Sequence, residues 1–219
     1  MASSILLTKE INPEKRQLLL NEGLEVDTKD FIRIKFINTE KISLRNKTLI
    51  FTSANGVEGF FKNGFDAPHS SVICVGGKTE SKLAEKGIKT LHTAKNAEEL
   101  ASFILQQQWD NPDFVHFCGN LALDTLEKSI ANHNANYIKK IVYETELLYP
   151  TLNKKYDALV FFSPSGVRSF VKNNSITDEM VFCIGNTTAL EVAKYTSQKP
   201  IISTKQNLND LLSLVKSVV

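Results

Sequence analysis

The sequence predicts an α/β protein: two related parallel-sheet domains of the flavodoxin or Rossmann kind, joined by a two-stranded β connector. Three observations predict it. Short apolar runs break into small polar turns and then continue at helical spacing. The pattern recurs about 110 residues later. Two extended segments separate the copies. A chain of 219 residues is long enough for two such domains.

The run Leu159-Val160-Phe161-Phe162 is continuous and apolar, as a parallel strand covered on both faces should be. Ser163 then offers an N-cap and Pro164 suits the first helical position, with Val167, Phe170 and Val171 at helical spacing. The free N–H groups of such a helix favour anions. One βα turn of this kind is weak evidence, but LIFTSANGVEGF repeats it. Ser53, Gly56, Val57 and Phe60 match Ser163, Gly166, Val167 and Phe170 at an offset of 110 residues. VICVGGKT matches VFCIGNTT at 109, pairing Cys74 with Cys183 and Gly76 with Gly185. Thr93 and Leu100 match Thr204 and Leu211 at 111. Three blocks in one order imply a duplicated domain, since the period is far too long for a solenoid.

Taken in order, Ser4 to Thr8 reads as a buried strand and Pro13 opens a helix ended by Gly23. Phe31 to Ile37 alternates apolar and polar like a half-exposed strand. Leu49 opens the first copy. Strands follow at Val72–Val75, Ile88–Thr93 and Phe114–Cys118. Helices follow from about Thr79, over Ala97–Gln107 and over Leu121–Ile130, and Tyr137–Leu148 holds a second extended segment. The second copy, from Tyr156 onward, has fewer βα units, and residues 1 to about 30 can complete it. This places domain one at residues 1–35 plus 149–219 and inserts domain two at 40–141. Segments 31–38 and 142–149 form the connector, an antiparallel pair acting as a hinge above a cleft.

Net charge is only +2, and no Lys/Arg run or aromatic-basic face speaks for nucleic acid. No apolar run approaches membrane-spanning length. Cys74, Cys118 and Cys183 are far apart and each ends an apolar run, so they read as buried free thiols of a reducing cytoplasm.

Ligands of open α/β sheets bind beyond the carboxyl ends of the strands. Those ends carry Thr8 and Lys9; Thr52, Ser53, Ala54 and Asn55; Gly76, Gly77 and Lys78; Gly119 and Asn120; Ser163 and Ser165; and Gly185, Asn186, Thr187 and Thr188. Glycines, hydroxyls and amides of this kind suit distributed carboxylates or phosphates rather than hydrolysis. Thr188 and Glu191 also fit a capping box. No nucleophile elbow, complete phosphate loop or dinucleotide fingerprint is present, and VGGKT lacks the spacing of a phosphate loop. The histidines His69, His92, His116 and His133 show no metal spacing, and His116, inside a strand, reads as a packed core residue. Arg168 reads as a solvated helix residue. Tyr143, in the connector run VYET, has two readings that the pattern leaves open: cover for a domain junction, or a phenol that donates a proton in a polar cleft.

The segments LIFTSANGVEGF, VICVGGKT, FCGN, VYET, FFSPSGV and CIGNTTA, in this order, resemble the uroporphyrinogen-III synthase family over the whole chain. The resemblance implies two α/β domains on a β-ladder with the active site in the cleft between them, and a reaction needing neither cofactor nor metal. Linear hydroxymethylbilane loses its hydroxyl, ring D inverts through a spiro intermediate, and the macrocycle closes as uroporphyrinogen III. The family's connector tyrosine, the candidate proton donor, corresponds to Tyr143. Its turn hydroxyls correspond to Ser163, Ser165, Thr187 and Thr188, and its GN turn to Gly119 and Asn120. Thr52, Ser53, Gly76 and Lys78 complete the expected substrate contacts. Asn186 stands where many members carry proline. The expectation is a cytoplasmic, monomeric enzyme, in transient contact at most with the preceding pathway enzyme and with no nucleic acid or membrane. The competing reading is a non-catalytic two-domain binding module for a polyanionic small molecule.

Overall fold

The computed structural model describes residues 3–67, 70–109, 112–131 and 135–219; His69 and His133 lie outside them. Eleven strands and eight helices follow one another among the described residues: β1 (Ser4–Leu7), α1 (Pro13–Leu20), β2 (Glu25–Thr28), β3 (Ile32–Phe36), β4 (Thr48–Phe51), α2 (Ala54–Lys62), β5 (Ser71–Val75), α3 (Gly77–Glu85), β6 (His92–Ala94), α4 (Ala97–Gln106), β7 (Asp113–Gly119), α5 (Thr125–Ile130), β8 (Asn136–Leu147), β9 (Ala158–Phe161), α6 (Pro164–Val171), β10 (Met180–Cys183), α7 (Asn186–Val192), β11 (Ile201–Ile202) and α8 (Leu208–Val218). The chain divides into two compact units, Met1–Arg33 with Glu146–Val219 (unit 1) and Ile34–Thr145 (unit 2).

Unit 1 holds a five-stranded sheet in the order β11-β10-β9-β1-β2, parallel throughout. Unit 2 is built on the six-stranded order β3-β8-β7-β4-β5-β6, parallel from β8 to β6. The two orders correspond strand for strand: β9, β10 and β11 match β4, β5 and β6, while β1 and β2 stand where β7 and β8 do. Each sheet is buried on both faces by two clusters of its own. In unit 1, Ile5, Leu7, Val160 and Phe182 face α1 and α8, and Leu6, Phe161, Val167 and Phe170 face the other way. In unit 2, Phe51, Phe60 and Phe117 form one layer and Ile50, Ile73 and Leu100 the other. A fully buried aliphatic or aromatic side chain contributes roughly 1.5–3 kcal/mol.

The duplication extends to side-chain geometry. Ser53 (φ −156°, ψ 150°) caps α2 by accepting from Gly56 N, and Ser163 (φ −165°, ψ 156°) caps α6 by accepting from Gly166 N. Phe60 meets Phe51 edge-on at 5.4 Å, and Phe170 meets Phe161 edge-on at 5.3 Å. Cys74, Cys118 and Cys183 are buried free thiols. Burial pushes Cys118 up to about 11 and Cys183 up to about 12, so they act as small apolar residues.

Several details differ from the sequence reading. The helix expected over Leu121–Ile130 starts only at Thr125, because residues 120–122 form a turn closed by Ala122 N on Gly119 O. The strand expected over Ile88–Thr93 is the shorter β6, shifted toward Ala94. The capping box of Thr188 and Glu191 does not form: Gly185 is the cap, with no side-chain bond. Glu191 instead receives Arg168 (3.3 Å), Lys194 (2.8 Å) and the Tyr195 hydroxyl (3.2 Å). Arg168 is therefore an ion-paired link between α6 and α7 rather than a solvated residue. β3 pairs with β8, and the donation of Ile37 N to Val142 O and of Leu148 N to Phe31 O shows that they run antiparallel. Residues 136–143 of β8 also pair with β7, so this part belongs to the unit 2 sheet and is no free-standing ribbon.

Candidate active site

In unit 2 the chain leaves β4 toward β5 and leaves β7 toward β8, on opposite sides. The carboxyl ends of β4 and β7 therefore border the topological switch point, where α/β sheets take ligands. Thr52 and Ser53 end β4, and Gly119 and Asn120 end β7. α2 is drawn down onto this edge because Gly56 has no side chain: a Cβ there would lie 2.5 Å from Phe117 O.

Tyr143 reaches the same place through a bulge. Cys118 pairs with Ile141, but Gly119 pairs with Tyr143, leaving Val142 as an extra residue on β8. Strand alternation alone would put Tyr143 on the face of Tyr137, which packs with Ile50 and Phe114. The bulge turns it to the opposite face, beside Val142, Phe51 and Phe117. There its ring lies over Gly119, where a Cβ would stand 2.5 Å from Cε2 and Cζ. Its hydroxyl hydrogen-bonds with Ser53 Oγ at 3.0 Å. Burial raises the phenol above its ordinary value, and the Ser53 hydrogen bond only partly offsets this. Tyr143 therefore carries its proton at neutral pH.

Asn120 ties this edge together. Its N–H donates to Tyr143 O at 3.2 Å and its Oδ1 accepts from Thr145 N at 2.8 Å. Its Nδ2 has no protein partner among the described residues. Thr52 Oγ1 hydrogen-bonds with His116 Nε2 at 2.9 Å. The structure thus brings Thr52, Ser53, Gly119, Asn120 and Tyr143 to one edge. Gly76 and Lys78 lie at the end of β5, the next strand out. Gly76 takes φ 81° at the start of α3, and Lys78 is exposed in the first turn.

The matching edge of unit 1 carries Ser163 and Ser165, whose hydroxyls hydrogen-bond at 3.0 Å. Thr8, at the end of β1, spends its hydroxyl on Val160 O at 2.8 Å. Thr187 is exposed in the first turn of α7, whereas Thr188 is buried, at 1 % exposure. Among the described residues no three His, Cys, Asp or Glu side chains converge as metal ligands, and no helix is long and apolar enough to cross a membrane. Sequence reasoning missed the partners of Thr52, His116 and Tyr137. They lie 64 and 85 residues from it, and only strand register brings them together.

Fold and site define a class: a duplicated α/β protein presenting hydroxyl and amide donors at its switch points, with a protonated phenol at one of them. The family model of uroporphyrinogen-III synthase HemD matches residues 16–213, and the chain belongs to that family. Among curated proteins no sequence matches it. Among solved structures, the uroporphyrinogen-III synthetase of Helicobacter pylori is similar at 19 % identity and TM-score 0.68, covering 100 % of both chains. A mutant uroporphyrinogen III synthase of Thermus thermophilus has 14 % identity and TM-score 0.74, over 99 % of this chain and 98 % of that one. The wild-type Thermus enzyme has 15 % identity and TM-score 0.58, over 99 % and 97 %. At such identities these structures bear on the fold. Family membership favours the cyclising lyase of tetrapyrrole synthesis over a binding-only module.

Proposed function

We propose that the chain cyclises linear hydroxymethylbilane to uroporphyrinogen III, with loss of water and inversion of ring D through a spiro intermediate, and that Tyr143 protonates the departing hydroxyl. The family match over residues 16–213 carries the activity. The Tyr143 role is supported by a half-buried, protonated phenol held on Gly119 and bonded to Ser53 at the unit 2 switch point. The departing oxygen takes the phenolic proton and leaves as water. The proton released when the macrocycle closes returns Tyr143 to its starting state.

The substrate is a flexible polycarboxylate that closes spontaneously to the wrong isomer, so positioning is the main demand. Thr52, Ser53, Gly76, Lys78, Gly119 and Asn120 of unit 2, with Ser163, Ser165 and Thr187 of unit 1, are read as its anchors. Backbone N–H groups and hydroxyls hold carboxylates without a strongly basic surface, in keeping with a net charge of +2. Thr188 is set aside as a side-chain contact because it is buried. The protein works as a cytoplasmic monomer and meets the preceding pathway enzyme only transiently.

The test generates hydroxymethylbilane in place, adds the protein, oxidises the products and separates isomers I and III. Predominant isomer III is expected; isomer I alone from folded protein refutes the activity. Tyr143→Phe is expected to lower turnover by about 10²–10⁴, the range for a general acid. Near-normal turnover would remove Tyr143 from that role and leave the activity standing.

A further inference from the structure

Below Thr52 a polar chain crosses three adjacent strands of unit 2. Thr52 follows β4, His116 lies in β7 and Tyr137 in β8. His116 Nε2 meets Thr52 Oγ1 at 2.9 Å, and His116 Nδ1 meets the Tyr137 hydroxyl at 2.6 Å. His116 is 2 % exposed, and burial pushes it down to about 4, so the ring is neutral at physiological pH and holds one N–H. The nitrogen that carries this hydrogen decides which way the Thr52 hydroxyl points.

The partners within reach decide between the two nitrogens. Among the described residues Tyr137 OH has no partner besides Nδ1. A hydrogen on Nδ1 would therefore leave the phenolic hydrogen without an acceptor in the protein, at a cost that partly buried donors avoid. With Tyr137 donating to Nδ1, the ring hydrogen sits on Nε2 and donates to Thr52 Oγ1. The Thr52 hydrogen then has no acceptor among the described residues and is left for a ligand at the switch point.

We propose that Tyr137 and His116 are positioning residues that fix the Thr52 hydroxyl as an outward hydrogen-bond donor to a substrate carboxylate. The ligand part of this inference rests on the substrate reading above. The orienting chain itself is a property of the free protein. It adds an anion-specific donor without adding a charge, and it disfavours a group that could only donate to Thr52.

Two measurements test it. Long-range ¹H–¹⁵N correlation on histidine-labelled protein is expected to show His116 as the Nε2–H tautomer, and an Nδ1–H ring overturns the inference. Tyr137→Phe removes the donor that holds the ring in the Nε2–H tautomer, so the Thr52 hydroxyl is no longer locked outward. In the coupled assay it is expected to raise KM about tenfold or more, the value of a hydrogen bond to a charged group, with kcat changed less than about threefold. His116→Gln offers an amide N–H in place of Nε2–H and is expected to keep KM near that of the unaltered protein. Unchanged KM in Tyr137→Phe overturns the positioning role. If the unaltered protein makes no isomer III, the substrate assignment fails, and the ligand part of the inference with it. A wrong tautomer beside normal isomer III production refutes only the inference.

Discussion

At the scale of single residues, the geometry of Tyr143 depends on a neighbour that has no side chain. The ring occupies the space a Cβ on Gly119 would fill, with two ring carbons at 2.5 Å from that position. Gly119→Ala must therefore push the phenol away from Ser53. A misplacement of about 1 Å can cost about 10²-fold in rate, and a loss of that order is expected here. Tyr143→Phe with Gly119→Ala should lose no more than Tyr143→Phe alone, because both act through one hydroxyl. Additive losses would show a separate role for Gly119. His116 gives a second prediction, in stability. Its folded value of about 4 lies below the ordinary 6.5, so between these pH values the unfolded chain binds the extra proton. Stability therefore falls as pH falls through that window, by up to about 3 kcal/mol. Urea titrations at pH 7, 5.5 and 4.5 check this, and His116→Gln should flatten the slope. An unchanged slope would show that His116 does not titrate as its burial demands.

At the scale of elements, the hydroxyl that caps a helix also stands at an edge proposed to bind substrate, and the two roles can be separated at Ser163. Ser163→Ala removes the bond to Gly166 N and is expected to cost about 1 kcal/mol in urea unfolding. Ser163→Asp keeps a capping oxygen and adds negative charge to the helix N-terminus, so stability should hold or rise. The same charge repels a substrate carboxylate, and KM for hydroxymethylbilane should rise about tenfold or more. An unaltered KM in a folded Ser163→Asp protein would remove this helix from substrate binding. Elements of this kind were legible in the sequence because turn chemistry is local: serine, proline and glycine at fixed offsets mark both copies. β2 was not legible, since EVDT is short, polar and only partly buried, and it becomes a strand by pairing with β1. The two-residue β11, Ile201–Ile202, is too short to show any pattern. The bulge at Val142 leaves no mark in YIKKIVYETELL, which alternates strictly on neither side of it. The tyrosine that reaches the candidate site was therefore singled out by its motif, while the route that takes it there was not legible. The chain from Thr52 to His116 to Tyr137 depends on the register of β4, β7 and β8, which pattern reading does not supply.

At the scale of the molecule, the duplicated strand order is distributed unequally along the chain. Unit 2 is one continuous stretch, and its two clusters draw only on residues within it. Unit 1 takes β1 and β2 from the N-terminal segment and the rest from beyond residue 145. β1 is an interior strand, paired with β9 on one side and β2 on the other. Ile5, Leu6 and Leu7 are fully buried and supply both faces of the unit 1 sheet, and Leu19, Leu24 and Val26 complete one of them. Deleting residues 1–30 removes these six side chains. At roughly 1.5–3 kcal/mol each, the loss is of the order of 10 kcal/mol, comparable with the entire stability of a typical domain. Unit 1 is therefore expected to unfold in the truncated protein. Unit 2 loses no core side chain and is expected to stay folded. Hydrogen exchange separates the outcomes: amides of β9 and β10 should exchange at unprotected rates, while those of β4 and β7 keep their protection. Loss of protection in β4 and β7 as well would show that unit 2 depends on unit 1 for its stability. Retained protection in β9 and β10 would show that the second copy folds without the strands that complete its sheet.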